Sequence, residues 1–86
     1  MRVAFSDSAI EDIETIAVGI ARYDIAAALK FERGIFDFAA SLDLFPNRYP
    51  AWSEDKRLRK AVYRKWILLY SVIESRDIVW IERVSY

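Results

Sequence analysis

The stretch 58–86, LRKAVYRKWILLYSVIESRDIVWIERVSY, decides the fold of this chain. It divides into three runs, 58–64, 66–73 and 78–86, and each run is rich in the β-branched and aromatic residues that favour β-strands. The polar residues 74–77 separate the last two runs and are typical of a turn. The stretch therefore predicts an antiparallel meander of three strands.

The residues before this meander have helical periodicity. Apolar side chains recur at helical spacing over 8–22 and again over 25–44, with Asp24 as a candidate N-cap and Pro46 as the stop of the second helix. Because so short a link joins them, the two helices are expected to form an antiparallel hairpin. Gly34 lies inside the second helix, and a close approach of the first helix would explain it.

Residues 2–5 are a candidate strand ahead of the helices, and the loop 46–56 contains both prolines. The resulting order is β-α-α-β-β-β, which predicts an α+β fold with the helical hairpin on one face of a small antiparallel sheet. Eighty-six residues suffice for one domain and not for two. We therefore expect a single domain over 1–86.

Side chains alternate across a strand, and both faces of the predicted sheet are largely apolar. In the last strand, Val79, Ile81 and Arg83 would share one face, and Trp80 and Val84 the other. A single helical hairpin covers only one face of a sheet. The pattern therefore predicts that a second protein covers the other face.

The composition excludes several kinds of chemistry. The chain contains neither cysteine nor histidine, so disulfides, thiolate nucleophiles and Ser-His-Asp or Cys-His catalysis are impossible. We find no convergent carboxylate motif, and we expect no metal and no cofactor. No apolar run approaches the roughly 18 residues of a membrane span, and the N-terminus turns polar too early for a signal peptide. These features predict a cytoplasmic protein with no membrane partner.

The net charge is zero, but the charges are unevenly distributed. Residues 1–55 carry five basic and ten acidic side chains, whereas residues 56–86 carry eight basic and three acidic ones. This asymmetry predicts an anionic partner for the basic half, with a solvated strand face as the alternative. The residues that could form one patch facing a target or an antitoxin are Lys56, Arg57, Arg59, Lys60, Arg64, Lys65 and Arg83. RNA, a nucleic-acid-processing protein and an acidic antitoxin all suit such a patch.

An ordered set of short segments resembles one known family. The segments are Val3-Ala4-Phe5-Ser6, IARYDIAA at 20–27, Leu44-Phe45-Pro46, Leu58-Arg59, ILLY at 67–70 and IERV at 81–84. Together they resemble the ParE/RelE superfamily, the toxins of bacterial type II toxin–antitoxin systems that act in plasmid stabilization. The resemblance implies growth inhibition and neutralisation by a cognate antitoxin in a hetero-oligomer. It also implies a target, which is DNA gyrase for ParE-like members and mRNA on the ribosome for RelE-like members.

Two departures from the ribonuclease members favour the ParE-like, gyrase-directed function. Those members carry an arginine directly after the start of the third sheet strand, where this chain has Ile67 after Trp66. Their C-terminal arginine and tyrosine would fall beyond Tyr86, the position at which many ParE-like members have a histidine. Relatives usually continue past this point with a basic tail. An inactive member that only binds its antitoxin is a further alternative.

The RelE-like alternative is a metal-independent, ribosome-dependent mRNA endoribonuclease. Its candidate catalytic residues are Arg59 and Arg83 as cations and Tyr86 as the acid or base. Purely structural roles are also open at two positions. Arg59 could pair with a carboxylate such as Glu82, and Tyr70 could be a core aromatic.

Overall fold

The computed structural model describes residues 1–86 and consists of two helices on a five-stranded sheet. The elements, in chain order, are β1 (Arg2–Phe5), α1 (Asp7–Ala21), α2 (Ile25–Ser41), β2 (Ala51–Trp52), β3 (Asp55–Tyr63), β4 (Trp66–Ile73) and β5 (Ile78–Ser85), with a 3-10 turn at Glu74–Arg76 before β5. The strands lie in the order β1-β5-β4-β3-β2. The predicted α+β class and the helical hairpin are confirmed.

The helices begin at capped residues. Ser6 Oγ accepts a hydrogen bond from the Ala9 N–H at 2.9 Å, and Asp24 Oδ1 accepts one from the Ala27 N–H at 3.0 Å. The predicted N-cap at Asp24 is therefore confirmed. Helix α2 ends at Ser41, three residues before the predicted end, because the chain turns after the buried Leu42. At 15 and 17 residues, neither helix has the length and apolar character needed to cross a membrane.

The sheet differs from the prediction at both edges. β1 pairs with β5 in parallel, so the sheet is mixed rather than entirely antiparallel. The helical hairpin carries the chain away from β1, and β5 later arrives beside β1 in the same direction. The opposite edge is β2, which the sequence analysis placed within a loop. It pairs with β3, and the Lys60 N–H donates to the Pro50 carbonyl at 3.0 Å. Proline lacks an N–H, but its carbonyl can still accept a hydrogen bond.

The core lies between the helical hairpin and one face of the sheet. Its thirteen buried residues are Ala9, Ile13, Ala17, Phe31, Ile35, Ala39, Leu42, Ala61, Leu68, Tyr70, Val79, Ile81 and Val84. Each fully buried leucine or isoleucine contributes about 1.5–3 kcal/mol relative to an exposed one. Tyr70 is 0% exposed, and its hydroxyl donates to the Pro46 carbonyl at 2.6 Å. Its core role is thus confirmed, and burial raises the pKa of its phenol.

A bulge in β5 changes which residues face this core. Leu69 pairs with Arg83, but Tyr70 pairs with Ile81, so Glu82 is an extra residue in β5. Because the extra residue shifts the alternation by one, Val84 joins Ile81 in the core, and Arg83 is exposed. The predicted sharing of one face by Ile81 and Arg83 is therefore wrong.

Helix α1 covers the part of β5 that extends beyond β1. The pairing with β1 stops at Phe5, which lies beside Ile81. Ser6 then donates its N–H to the Ile81 carbonyl at 2.9 Å and its hydroxyl to the Glu82 carbonyl at 2.7 Å. Asp12 accepts the Val84 N–H at 2.9 Å. These contacts satisfy backbone groups that would otherwise form an open sheet edge.

Candidate functional site

The seven basic residues predicted to form one patch lie at separate places on the sheet. Lys56 and Arg57 lie at the start of β3, whereas Arg64 and Lys65 form the turn after its end. At about 3.3 Å per residue, the two ends of this nine-residue strand are about 27 Å apart. Lys60 pairs with Leu69 between them. A single small ligand therefore cannot contact both ends of β3.

Two of the seven residues form ion pairs, and these are the only two ion pairs in the structure. Arg57 Nη2 lies 2.8 Å from Asp55 Oδ2, and Arg83 Nε lies 2.8 Å from Asp12 Oδ2. The hydrogen bonds from Arg57 lower the pKa of Asp55 to about 2. Those from Arg83, helped by the Val84 N–H, lower the pKa of Asp12 against the opposing effect of its burial. Both arginines therefore already have anionic partners within the chain.

Arg59 fastens a loop to the sheet. It is half-buried, and its Nη1 donates to the Tyr49 carbonyl at 2.6 Å and to the Asn47 carbonyl at 3.2 Å. The hydroxyl of its cross-strand neighbour Tyr70 binds Pro46 in the same loop. No ion pair joins Arg59 to Glu82, so that structural alternative is wrong. The observed role is also structural, but its partners are backbone carbonyls.

Tyr86 lies at the opposite end of the sheet from the contacts of Arg59. Its ring centroid is 5.6 Å from that of Trp66, which pairs with Tyr63. Arg59 is four residues from Tyr63 along β3, a distance of about 13 Å. Arg83 is held by α1, three residues before Tyr86. The structure therefore does not bring the three catalytic candidates of the ribonuclease alternative together.

A cleft between α2 and the β3–β4 turn was not predicted from the sequence. We call it the basic cleft; it has a volume of about 470 Å³ and is lined by Ile20, Ala27, Lys30, Phe31, Arg33, Gly34, Asp37, Tyr63, Arg64, Lys65 and Trp66. It joins two predicted patch residues, Arg64 and Lys65, to two cations of α2 that were not predicted, Lys30 and Arg33. Helical spacing places Lys30, Arg33 and Asp37 on one side of α2, but no sequence signal shows what that side faces.

Gly34 and Tyr63 determine the shape of this cleft. A Cβ at Gly34 would lie 2.5 Å from the Tyr63 hydroxyl, so the glycine is explained by β3 and not by the predicted contact with α1. The Tyr63 ring stacks on Phe38 with centroids 5.0 Å apart. Arg64 has φ 57°, a left-handed conformation that is uncommon outside glycine, and its Nε donates to the Tyr63 hydroxyl at 3.3 Å. The turn is therefore fixed against α2.

Two apolar surfaces remain uncovered. One is a groove between α1 and α2 on the side away from the sheet, where Val18, Ile25 and Leu29 are 59–69% exposed. The other is the sheet face opposite the helices, whose cross-strand pairs include Val62 with Ile67. Apolar surfaces of this kind mark contacts with other proteins. No group of acidic side chains comes together in a way that could hold a metal ion.

The element order, the two layers and the strand order define an α+β domain of the RelE/ParE-like class. The family model described as "ParE toxin of type II toxin-antitoxin system, parDE" matches residues 3–86. The chain belongs to this family of ParE toxins, and membership implies a cognate antitoxin as its partner. A search of curated proteins gave no significant match.

Proposed function

We propose that this ParE-family toxin stops growth by binding and inhibiting DNA gyrase in the cytoplasm, and that it acts without catalysis of its own. The family supports a toxin of a type II system. The observation that carries the choice of mechanism is the separation of Arg59, Arg83 and Tyr86. Two of these residues are also engaged within the chain, since Arg59 binds loop carbonyls and Arg83 binds Asp12.

The chemistry of RNA cleavage explains why this separation matters. A ribonuclease needs a group that activates the 2′-hydroxyl, a group that protonates the leaving oxygen and cations for the charged transition state, all within hydrogen-bond reach of one phosphate. Burial moves the pKa of Tyr70 upward, which is the wrong direction for a base at neutral pH. A mechanism based on binding a protein target needs none of these groups.

The exposed surface supports a protein target and a protein inhibitor. The α1–α2 groove and the open sheet face are apolar, and the remaining cations of the predicted patch lie at the edges of the sheet. We propose that the antitoxin covers apolar surface, with acidic residues placed against Lys56, Lys60 and Arg64. Such charges raise the association rate more than the final affinity.

The test compares two purified reactions. The toxin is titrated into a gyrase supercoiling assay and, separately, into a translating extract whose mRNA is mapped for cleavage. We expect loss of supercoiling with intact mRNA. Cleavage of mRNA with gyrase unaffected would support the RelE-like alternative. No effect in either assay, together with normal growth of cells that contain the soluble protein, would support an inactive antitoxin-binding member.

A further inference from the structure

We infer that the basic cleft is a binding site for a short acidic peptide segment of a partner protein. This goes beyond the proposed function, because the site is defined by its own chemistry and does not depend on gyrase being the target. Its cations come from two elements: Lys30 and Arg33 from α2, and Arg64 and Lys65 from the β3–β4 turn.

The cleft carries a surplus of positive charge that the chain does not neutralise. Neither of the two ion pairs in the structure includes Lys30, Arg33, Arg64 or Lys65. Asp37 is the only carboxylate that lines the cleft. Four cations and one anion around a single concave surface attract anions more strongly than the same charges spread over a convex one.

The aromatic side chains of the cleft decide between a peptide and a nucleic acid. Nucleic-acid sites of this size combine cations with aromatic faces on which bases stack. Here the faces are already in use. The Trp66 ring lies 4.8 Å from Phe31 and has the Lys65 ammonium 5.1 Å from its centroid. Tyr63 stacks on Phe38 and has the Arg64 guanidinium 5.6 Å from its centroid.

Recognition in the cleft must therefore rest on charge and hydrogen bonding. Arginine presents a planar fork of donors that matches a carboxylate, and the cleft offers two such forks, Arg33 and Arg64. Its volume of about 470 Å³ suits a few residues of peptide. A longer polyanion would run past Glu14 and Glu32, which line the adjoining α1–α2 groove and would repel a phosphate backbone.

The β3–β4 turn holds two of the four cations in place before any ligand arrives. Arg64 adopts its left-handed conformation in the free chain, and residues held in sparsely populated conformations cluster at binding sites. Gly34 lets the Tyr63 hydroxyl lie over α2, where it accepts a hydrogen bond from Arg64. A fixed turn reduces the ordering cost that binding would otherwise incur.

The experiment titrates the isolated protein with an amidated hexaglutamate peptide and follows the backbone amides of Gly34 and Lys65 by NMR. We expect saturable shifts at these amides. The double variant Lys30→Gln, Arg33→Gln should bind about tenfold more weakly, because two charge-assisted contacts are lost. The matched control is Lys56→Gln, Lys60→Gln, which removes the same charge outside the cleft and should change the affinity less than about twofold.

Equal weakening in the two double variants would overturn the inference, because binding would then follow net charge alone. A uridine oligonucleotide of matched charge is the second arm. If it bound more tightly than the peptide and shifted the same amides, the occupant would be a nucleic acid and the inference would be wrong. All four substituted side chains lie at the surface, and unchanged melting curves would verify that each variant is folded. The result is independent of the gyrase assay.

Discussion

Asp12 of α1 binds Arg83 of β5 with both carboxylate oxygens, which accept from Nε at 2.8 Å and from Nη2 at 2.9 Å. The same carboxylate accepts the neighbouring Val84 N–H. The two residues are 71 positions apart in the chain and join the first helix to the last strand. Asp12 is the more buried partner, with 16% of its side chain exposed against 59% for Arg83.

This relationship predicts unequal effects of the two alanine substitutions. Asp12→Ala should lower the free energy of unfolding by about 1–3 kcal/mol, because the Val84 N–H at the sheet edge loses its partner together with Arg83. Arg83→Ala should cost less, since the Asp12–Val84 hydrogen bond survives. Urea unfolding of both variants measures the difference. A larger loss for Arg83→Ala would contradict this account of the edge.

The lowered pKa of Asp12 predicts an acid-sensitive contribution to stability. Its folded-state pKa is below the ordinary value of 3.8, so its contribution is complete above that value and is lost as the pH falls through the folded-state pKa. Asp12→Asn should therefore be less stable at neutral pH and should lose less further stability on acidification. Asp55→Asn is the control, because that carboxylate is exposed and pairs with Arg57 two residues away. Parallel curves for Asp12→Asn and the parent chain would refute the linkage.

Gly34 and Tyr63 should show strong coupling. Gly34→Ala improves helix propensity by up to about 1 kcal/mol, but its Cβ would meet the Tyr63 hydroxyl, and crowding in packed regions costs about 1–3 kcal/mol. We expect net destabilisation in the parent chain. In a Tyr63→Phe background the closest contact is gone, so the same substitution should cost less or stabilise. A double-mutant cycle measures this coupling, and additive effects would contradict it.

Arg59 should behave as part of the scaffold. Arg59→Ala removes two hydrogen bonds to loop carbonyls and should cost about 1–2 kcal/mol, which corresponds to a fall of several degrees in Tm for a domain of this size. Any loss of toxicity would then follow the loss of folded protein. Lys60→Ala, on the next residue of β3, is the control and should leave Tm nearly unchanged. If Arg59→Ala abolished toxicity at an unchanged Tm, Arg59 would face the partner.

The antitoxin complex should depend on salt, and the free toxin should self-associate. Acidic antitoxin residues near the basic side chains would make the association rate fall as salt rises from low to high concentration. The uncovered apolar groove and sheet face should make the free chain oligomerise at high concentration. Stopped-flow association and sedimentation measure the two effects. A monomeric free toxin with a salt-independent association rate would oppose both.

The sequence by itself determined the elements whose signals are local. Helical spacing identified α1 and α2, Asp24 marked a helix start, and the β-branched and aromatic runs identified β3, β4 and β5. These features depend on residues within a few positions of one another, so they can be read along the chain. The core role of Tyr70 was available as one of two alternatives, and burial selected it.

Only the tertiary structure decided how distant residues meet. The bulge at Glu82 reverses the expected faces of Arg83 and Val84, and no local pattern marks an inserted residue. The parallel pairing of β1 with β5 depends on the path of the chain across the sheet. The basic cleft unites α2 with a turn about thirty residues later. Register and layer packing set such contacts, and both are properties of the closed fold, whereas periodicity is a property of a short segment.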